Sequence, residues 1–176
     1  MTAMRLARFA VLGASVLLMW QASVRAEEAP AAPFIAPPPW QEQAVSLPEF
    51  PAEADLLPFQ VDLPGLSQTF NIDGKSLNVG ADRVVRYTVV IVSTSGARNV
   101  LHEGIRCATR EYRSYAYGEA DGRFRSAQDD KWRTISDRGW GGFRAELLRD
   151  FLCDVHLSPY SRKEIIRRLS HPQSVQ

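Results

Sequence analysis

The chain has 176 residues, and its 21 Lys+Arg against 20 Asp+Glu leave a net charge of +1. That length holds one domain with a sizeable core. The near-neutral balance argues against a nucleic-acid or anionic-membrane binder.

The first segment reads as an export signal. Arg5 and Arg8 supply a positive start, Phe9 to Trp20 is an uncharged apolar run, and Val24 and Ala26 are small residues placed for cleavage after Ala26. This three-part pattern is that of a secretory signal peptide over residues 1–26. Its apolar run falls short of the ~20 residues that span a bilayer. No transmembrane span is therefore expected after cleavage, and the chain is expected to be exported. Cleavage would leave 18 bases and 20 acids, net −2. The charge is uneven: residues 27–82 hold nine acids and only Lys75 as a base, whereas residues 83–176 hold seventeen bases and eleven acids.

Prolines define the next stretch, residues 27–66. Nine of the eleven lie between Pro30 and Pro64. Such a stretch cannot form a regular helix or an inner strand and is predicted to be an extended, Pro-rich arm. Trp40, Val45, Leu47, Phe50, Leu56, Leu57, Phe59 and Val61 recur through it, and disordered linkers usually lack such residues. The arm is expected to dock on the domain from about Trp40 onward.

Residues 67–176 read as an α+β domain. Phe70 and Ile72, then Leu77 and Val79, alternate with polar residues around Asp73-Gly74, which predicts a hairpin. Arg83 to Ser93 is β-branched and aromatic and predicts a long central strand. Thr94-Ser95-Gly96 turns the chain into an antiparallel return over Asn99–Cys107. Glu111–Tyr117 follows, with Tyr115 and Tyr117 expected on one face. Asp121-Gly122, Arg123–Arg125 and Lys131–Ile135 supply a turn and two short strands. Phe143, Leu147, Leu148, Phe151 and Leu152 recur at helical spacing. Ser161 and Glu164 fit the capping box of a second helix, with Ile165, Ile166 and Leu169 on its buried side. Strands followed by helices predict an antiparallel sheet of about four to six strands with two C-terminal helices packed on one face.

Several of these residues fall into a familiar pattern. The strand Val84–Val90, the run Ser95–Val100, Glu103–Cys107, Trp132, and the second cysteine in Asp150–Cys153 resemble the cryptic neisserial protein 1-like family. Trp40, Leu47-Pro48 and Asp55–Leu57 are similar to that family's N-terminal arm. The resemblance covers about residues 40–169. It implies a periplasmic protein of Gram-negative bacteria with no known biochemical activity, and so no catalytic residues to carry over. Some members look like lipoproteins; this chain has no cysteine after its signal for a lipid to join.

Cys107 and Cys153 are the only cysteines. In an oxidising compartment they predict one intramolecular bridge, tying the end of a central strand to the end of the first helix. On an ideal helix Cys153 would face away from the apolar side, so either the helix ends before it or the bridge lies at the helix edge.

Motifs for chemistry are sparse. His102-Glu103 pairs a base with a carboxylate, and a small envelope hydrolase using either is the enzymatic alternative. Adjacent strand residues point to opposite faces, however, and Glu103 is expected to be partly buried beside an arginine. His156 and His171 have no ligand spacing, and HExxH and CxxC pairs are lacking, so no metal site or cofactor is expected. No GxSxG or GxxxxGK[ST] occurs. Gly139-Trp140-Gly141-Gly142 reads as a flexible turn. Arg106, Arg110, Tyr112, Tyr115, Tyr117 and Trp132, with Arg113 and Trp140 nearby, are the candidate binding surface, an aromatic and arginine platform suited to a sugar or peptidoglycan fragment. The function these residues support is non-catalytic binding or assembly in the cell envelope. The partner would be an envelope protein or polymer, with no role for nucleic acid.

Overall fold

The computed structural model describes residues 38–171, so the expected export signal and residues 27–37 of the expected arm lie outside the described residues. From Pro39 to Ala52 the chain has neither helix nor strand. A 3-10 turn over Glu53–Asp55 then leads into β1, Leu56–Phe59. β1 belongs to the Pro-rich stretch, yet it forms a ladder with its neighbour. Pro58 is tolerated there because β1 is the outermost strand, where a missing N–H leaves no inner partner unsatisfied.

The remaining strands are β2 (Thr69–Asp73), β3 (Asn78–Val79), β4 (Val84–Val92), β5 (Arg98–Arg106), β6 (Glu111–Gly118), β7 (Phe124–Ser126) and β8 (Arg133–Thr134). They form one antiparallel sheet in the order β1-β2-β4-β5-β6-β7, with β3 also beside β4 and β8 also beside β6. Its eight strands exceed the four to six expected. β1 is recruited from the Pro-rich stretch, and strands of two or three residues find room beside the long ones.

The hairpin expected at Asp73-Gly74 does not form. β2 and β3 do not pair with each other; β2 pairs with Thr69↔Val92 to Ile72↔Val89, and β3 with Asn78↔Arg86 and Val79↔Val85, both along the same edge of β4. A tight two-residue hairpin needs left-handed backbone at its centre. Gly74 does not adopt it, whereas Gly96 and Gly122 at the other two turns do, with φ 84° and 78°. Instead the Asp73 carboxylate accepts from the N–H groups of Lys75 and Ser76 and bends the chain away.

After β8 a 3-10 turn (Trp140–Gly142) enters α1 (Phe143–Glu146), which continues as π-helix over Leu147–Leu152. Helical geometry stops there: Cys153 is extended, φ −122° and ψ 147°. The helix thus ends before the cysteine, which lets Cys153 turn toward the sheet. α2 spans Arg162–Ser170, and its Ser161 hydroxyl accepts from the Glu164 N–H. The Glu164 carboxylate binds Arg167 and Arg168 instead of closing the capping box. No helix among the described residues is long and apolar enough to cross a membrane.

β4 is buried along nearly its whole length, so both faces of the sheet are covered. On one face Val85, Tyr87, Val89, Ile91, Leu101 and Ile105 meet Phe143, Leu147, Leu148, Phe151 and Leu152, together with Ile165 and Leu169 of α2. The disulfide Cys107–Cys153, with Cα atoms 5.8 Å apart, joins β5 to the end of the π-helix. The other face carries Arg86, Thr88, His102 and Tyr115, and the segment from Trp40 to Pro51 reaches it through side chains. A methyl group on Gly118 would lie 2.8 Å from the Phe50 ring, so the bare glycine lets that ring lie close to the sheet.

Candidate functional site

His102 and Glu103 occupy adjacent positions on β5 and face opposite sides. Glu103 lies on the helix face and is fully buried. Its carboxylate accepts from Arg144 Nε at 2.8 Å and Nη2 at 2.5 Å, from Tyr87 OH at 3.1 Å and from Ser114 Oγ at 2.9 Å. The Arg144 guanidinium stacks 4.1 Å from the centre of the Tyr112 ring. Both charges are desolvated, yet each is paired and hydrogen-bonded, the condition under which burial of an ion pair is tolerable. Every oxygen of Glu103 is taken by the fold itself.

His102 lies on the second face, 2% exposed, with Nδ1 3.1 Å from Thr88 Oγ1 and the rings of Tyr115 and Phe124 beside it. Burial, reinforced by the nearby Arg86 charge, pushes its pKa down to about 4, so the ring is neutral at pH 7. The two side chains of the His-Glu pair therefore share no reacting centre.

A polar cluster lies next to His102. Arg86 grips Asp82 with two nitrogens, Nη1–Oδ1 3.1 Å and Nη2–Oδ2 2.6 Å. Burial pushes Asp82 up, but bonds from Arg86 and from the N–H groups of Gln43 and Val84 outweigh it and hold the carboxyl below its usual range. Glu42 accepts from Arg113 Nη1 at 2.5 Å, Tyr115 OH at 2.6 Å and Trp132 Nε1 at 3.2 Å, with Arg86 Nη2 at 3.6 Å. Burial, then the Glu42 bond, raises the Tyr115 phenol, which stays protonated and donating.

At the disulfide end of the sheet the cluster reaches solvent. The Arg106 guanidinium lies 3.7 Å from the centre of the Trp40 ring and 5.5 Å from that of Trp132, and the two indoles meet edge-on at 5.9 Å. Trp40 Nε1 donates to the Asp82 carbonyl, yet 41% of Trp40 stays exposed. A cleft of about 70 Å³ adjoins it, lined in part by Arg83, Arg106, Ala108, Leu157 and Pro159. Among the described residues three non-glycines have left-handed backbone: Arg83, Arg110 and Leu157. Arg83 precedes β4, Arg110 follows Cys107, and Leu157 follows Cys153.

The expected platform is thus divided. Arg106, Arg113, Tyr115 and Trp132 come together on the second face. Tyr112 and Tyr117 pack against the apolar core of the helix face, and Arg110 sits exposed on a turn. Tyr115 and Tyr117 do not share a face as expected, because β5 and β6 shift register between His102 and Glu103. His102 opposes Ala116 and Glu103 opposes Ser114, leaving Tyr115 as the extra residue of a bulge that reverses the alternation. Trp140 is exposed away from this cluster, edge-on to Phe143.

Glu42 and Asp82, the acids at the centre of the cluster, were not legible as site residues. Their one signal is Arg86, the one charge inside strand β4, which requires a buried partner.

Comparison with known proteins gives one match. No curated protein and no solved structure is detectably similar to this chain. The model of the CNP1-like family matches residues 35–170, which include every strand, both helices and both cysteines described above. The chain belongs to the CNP1-like family.

Proposed function

We propose that residues 1–26 direct export and that the mature chain works in the periplasm of a Gram-negative bacterium as a non-catalytic binding or assembly module of the cell envelope. The Pro-rich stretch serves it as an extended arm that completes the domain's surface. The partner is an envelope protein or polymer that docks at the disulfide end.

The observation that carries this reading is the stack of exposed Trp40 on half-buried Arg106 and Trp132 beside its cleft. Tryptophan and arginine dominate the energetics of binding surfaces because they combine large apolar area with directed polar atoms. The left-handed backbone at Arg83 and Leu157 adds support, since such strain concentrates where a surface is shaped for a task. The disulfide suits an oxidising compartment. The hydrolase alternative gains nothing from the geometry, since His102 and Glu103 are buried on opposite faces.

A photo-crosslinking residue at exposed Arg83, introduced in living cells, tests the proposal. The chain should appear in the osmotic-shock fraction, shortened by its signal, and give a discrete adduct that Trp40→Ala abolishes. Full-length chain retained in the cytoplasm, or no adduct beyond that of a control position at Lys75, would overturn it.

A further inference from the structure

The second sheet face is rich in hydrogen-bond donors, with Arg86 on Asp82 and Arg113 on Glu42 and Asp130. Arg86 Nε and Arg113 Nε are buried with no hydrogen-bond partner, and Arg86 as a whole is 6% exposed. Buried donors without partners are rare and call for an explanation. Around them Tyr115 and Trp132 add two further donors, and the main acceptor shared by Arg113, Tyr115 and Trp132 is the Glu42 carboxylate. That carboxylate belongs to a segment with an unusual attachment. No backbone–backbone hydrogen bond joins residues 39–51 to the sheet among the described residues. The segment is held by side-chain bonds at Trp40, Glu42 and Gln43, by the exposed Glu49–Lys75 pair and by the Phe50 ring. β1, by contrast, is laced into the sheet by a ladder. A unit attached in this way opens at lower free energy than the fold it covers. Charge favours its return, since the segment carries Glu42 and Glu49 and no base, whereas residues 83–176 are net +6.

We propose that Arg86, Arg113, Tyr115 and Trp132 form a carboxylate-binding receptor for an extended acidic segment, filled here by the chain's own Glu42 and able to take the same segment from a second copy. This deepens the reading of the chain as a binding module and rests on it. The second copy is the partner argued for because its Trp40–Pro51 segment carries the one sequence seen to fit this face. In the exchanged pair each chain supplies Glu42 to the other's arginines, with the same bonds as in the single chain. The tethered segment has a local concentration on the order of millimolar, so the wild-type chain is mainly self-occupied at lower protein concentration.

Charge reversal separates receptor from ligand. The Glu42→Lys variant of the mature chain keeps its receptor and loses its ligand; Arg113→Glu does the opposite. By analytical ultracentrifugation the mixture should associate at least about tenfold more tightly than either variant alone. A mixture that sediments as two monomers would overturn the exchange. If a charge reversal abolishes cooperative melting, Glu42→Ala with Arg113→Met replaces the pair under the same criterion. The receptor itself is probed with sodium formate, which should raise the melting temperature of Glu42→Ala but not of Glu42→Ala/Arg113→Met. Equal responses would overturn the carboxylate site. Because both readouts use purified chain, their failure leaves the envelope-partner reading standing, and absence of an adduct in cells leaves the receptor standing.

Discussion

The two faces of the sheet are covered in different ways. On the helix face, interlocking Phe, Leu and Ile side chains exclude water from Glu103 and Arg144, and the disulfide fixes the covering layer to β5. On the second face the cover is an irregular segment whose side chains meet arginines, a tyrosine and a tryptophan, two arginine nitrogens stay unpaired, and part of the cover is exposed. A sealed apolar face stabilises; a polar face under a separable cover can exchange one occupant for another. On the proposed reading, stability and recognition would lie on opposite sides of one sheet.

The sharpest way to break this comparison is to remove one carboxylate from each face. Glu103→Ala leaves Arg144 buried and unpaired, which costs about 3–5 kcal/mol. Urea unfolding at pH 7 should show the loss for the whole domain. Glu42→Ala, on the partly hydrated second face, should cost distinctly less. Equal losses would mean that the two faces are energetically alike.

The disulfide makes the next largest contribution. Its 46-residue separation gives about 4 kcal/mol by chain entropy, with engineered bridges commonly delivering less. The double variant Cys107→Ser/Cys153→Ser should lower global stability by about 2–4 kcal/mol in urea while the Trp40 environment, followed by fluorescence at low denaturant, stays native. A loss of the native Trp40 signal before global unfolding would couple the brace to the Trp40–Arg106 stack directly.

The helix face was largely legible in the sequence, because burial there follows simple periods. Phe143, Leu147, Leu148, Phe151 and Leu152 recur at helical spacing, and Val85, Tyr87, Val89 and Ile91 at every second residue. The cysteine phase left two outcomes open, and the structure takes the first, with helical geometry ending before Cys153. The second face was not legible in this way. Its cover has no period, since prolines break helix and strand alike, and its contacts run between residues about forty to ninety apart, such as Trp40 with Asp82 and Glu42 with Trp132. The bulge at Tyr115 is a backbone shift with no composition of its own, and it reassigned two of the six platform residues relative to one another. Likewise Asp73-Gly74 has hairpin composition, but β4 is long enough to take both β2 and β3 along one edge.

The smallest effect is carried by pH through His102 on the second face. His102 has its pKa pushed from 6.5 to about 4, first by burial and then by the Arg86 charge. The folded state thus binds fewer protons than the unfolded chain between these values. Stability from this group is fully present above pH 6.5 and is lost as the pH falls toward 4. A depression of this size corresponds to at most about 3 kcal/mol. Carboxylates also begin to titrate at the lower end of this range, so the informative quantity is a difference between chains. His102→Asn removes the titration while keeping a polar partner for Thr88. It should be less stable than wild type at pH 7 and lose less stability between pH 6.5 and pH 4. Thr88, Tyr115 and Arg86 surround the ring from β4 and β6, so the proton lands beside a buried cation with no carboxylate bonded to the imidazole. If both chains lose stability in parallel, the histidine is not held neutral by its surroundings.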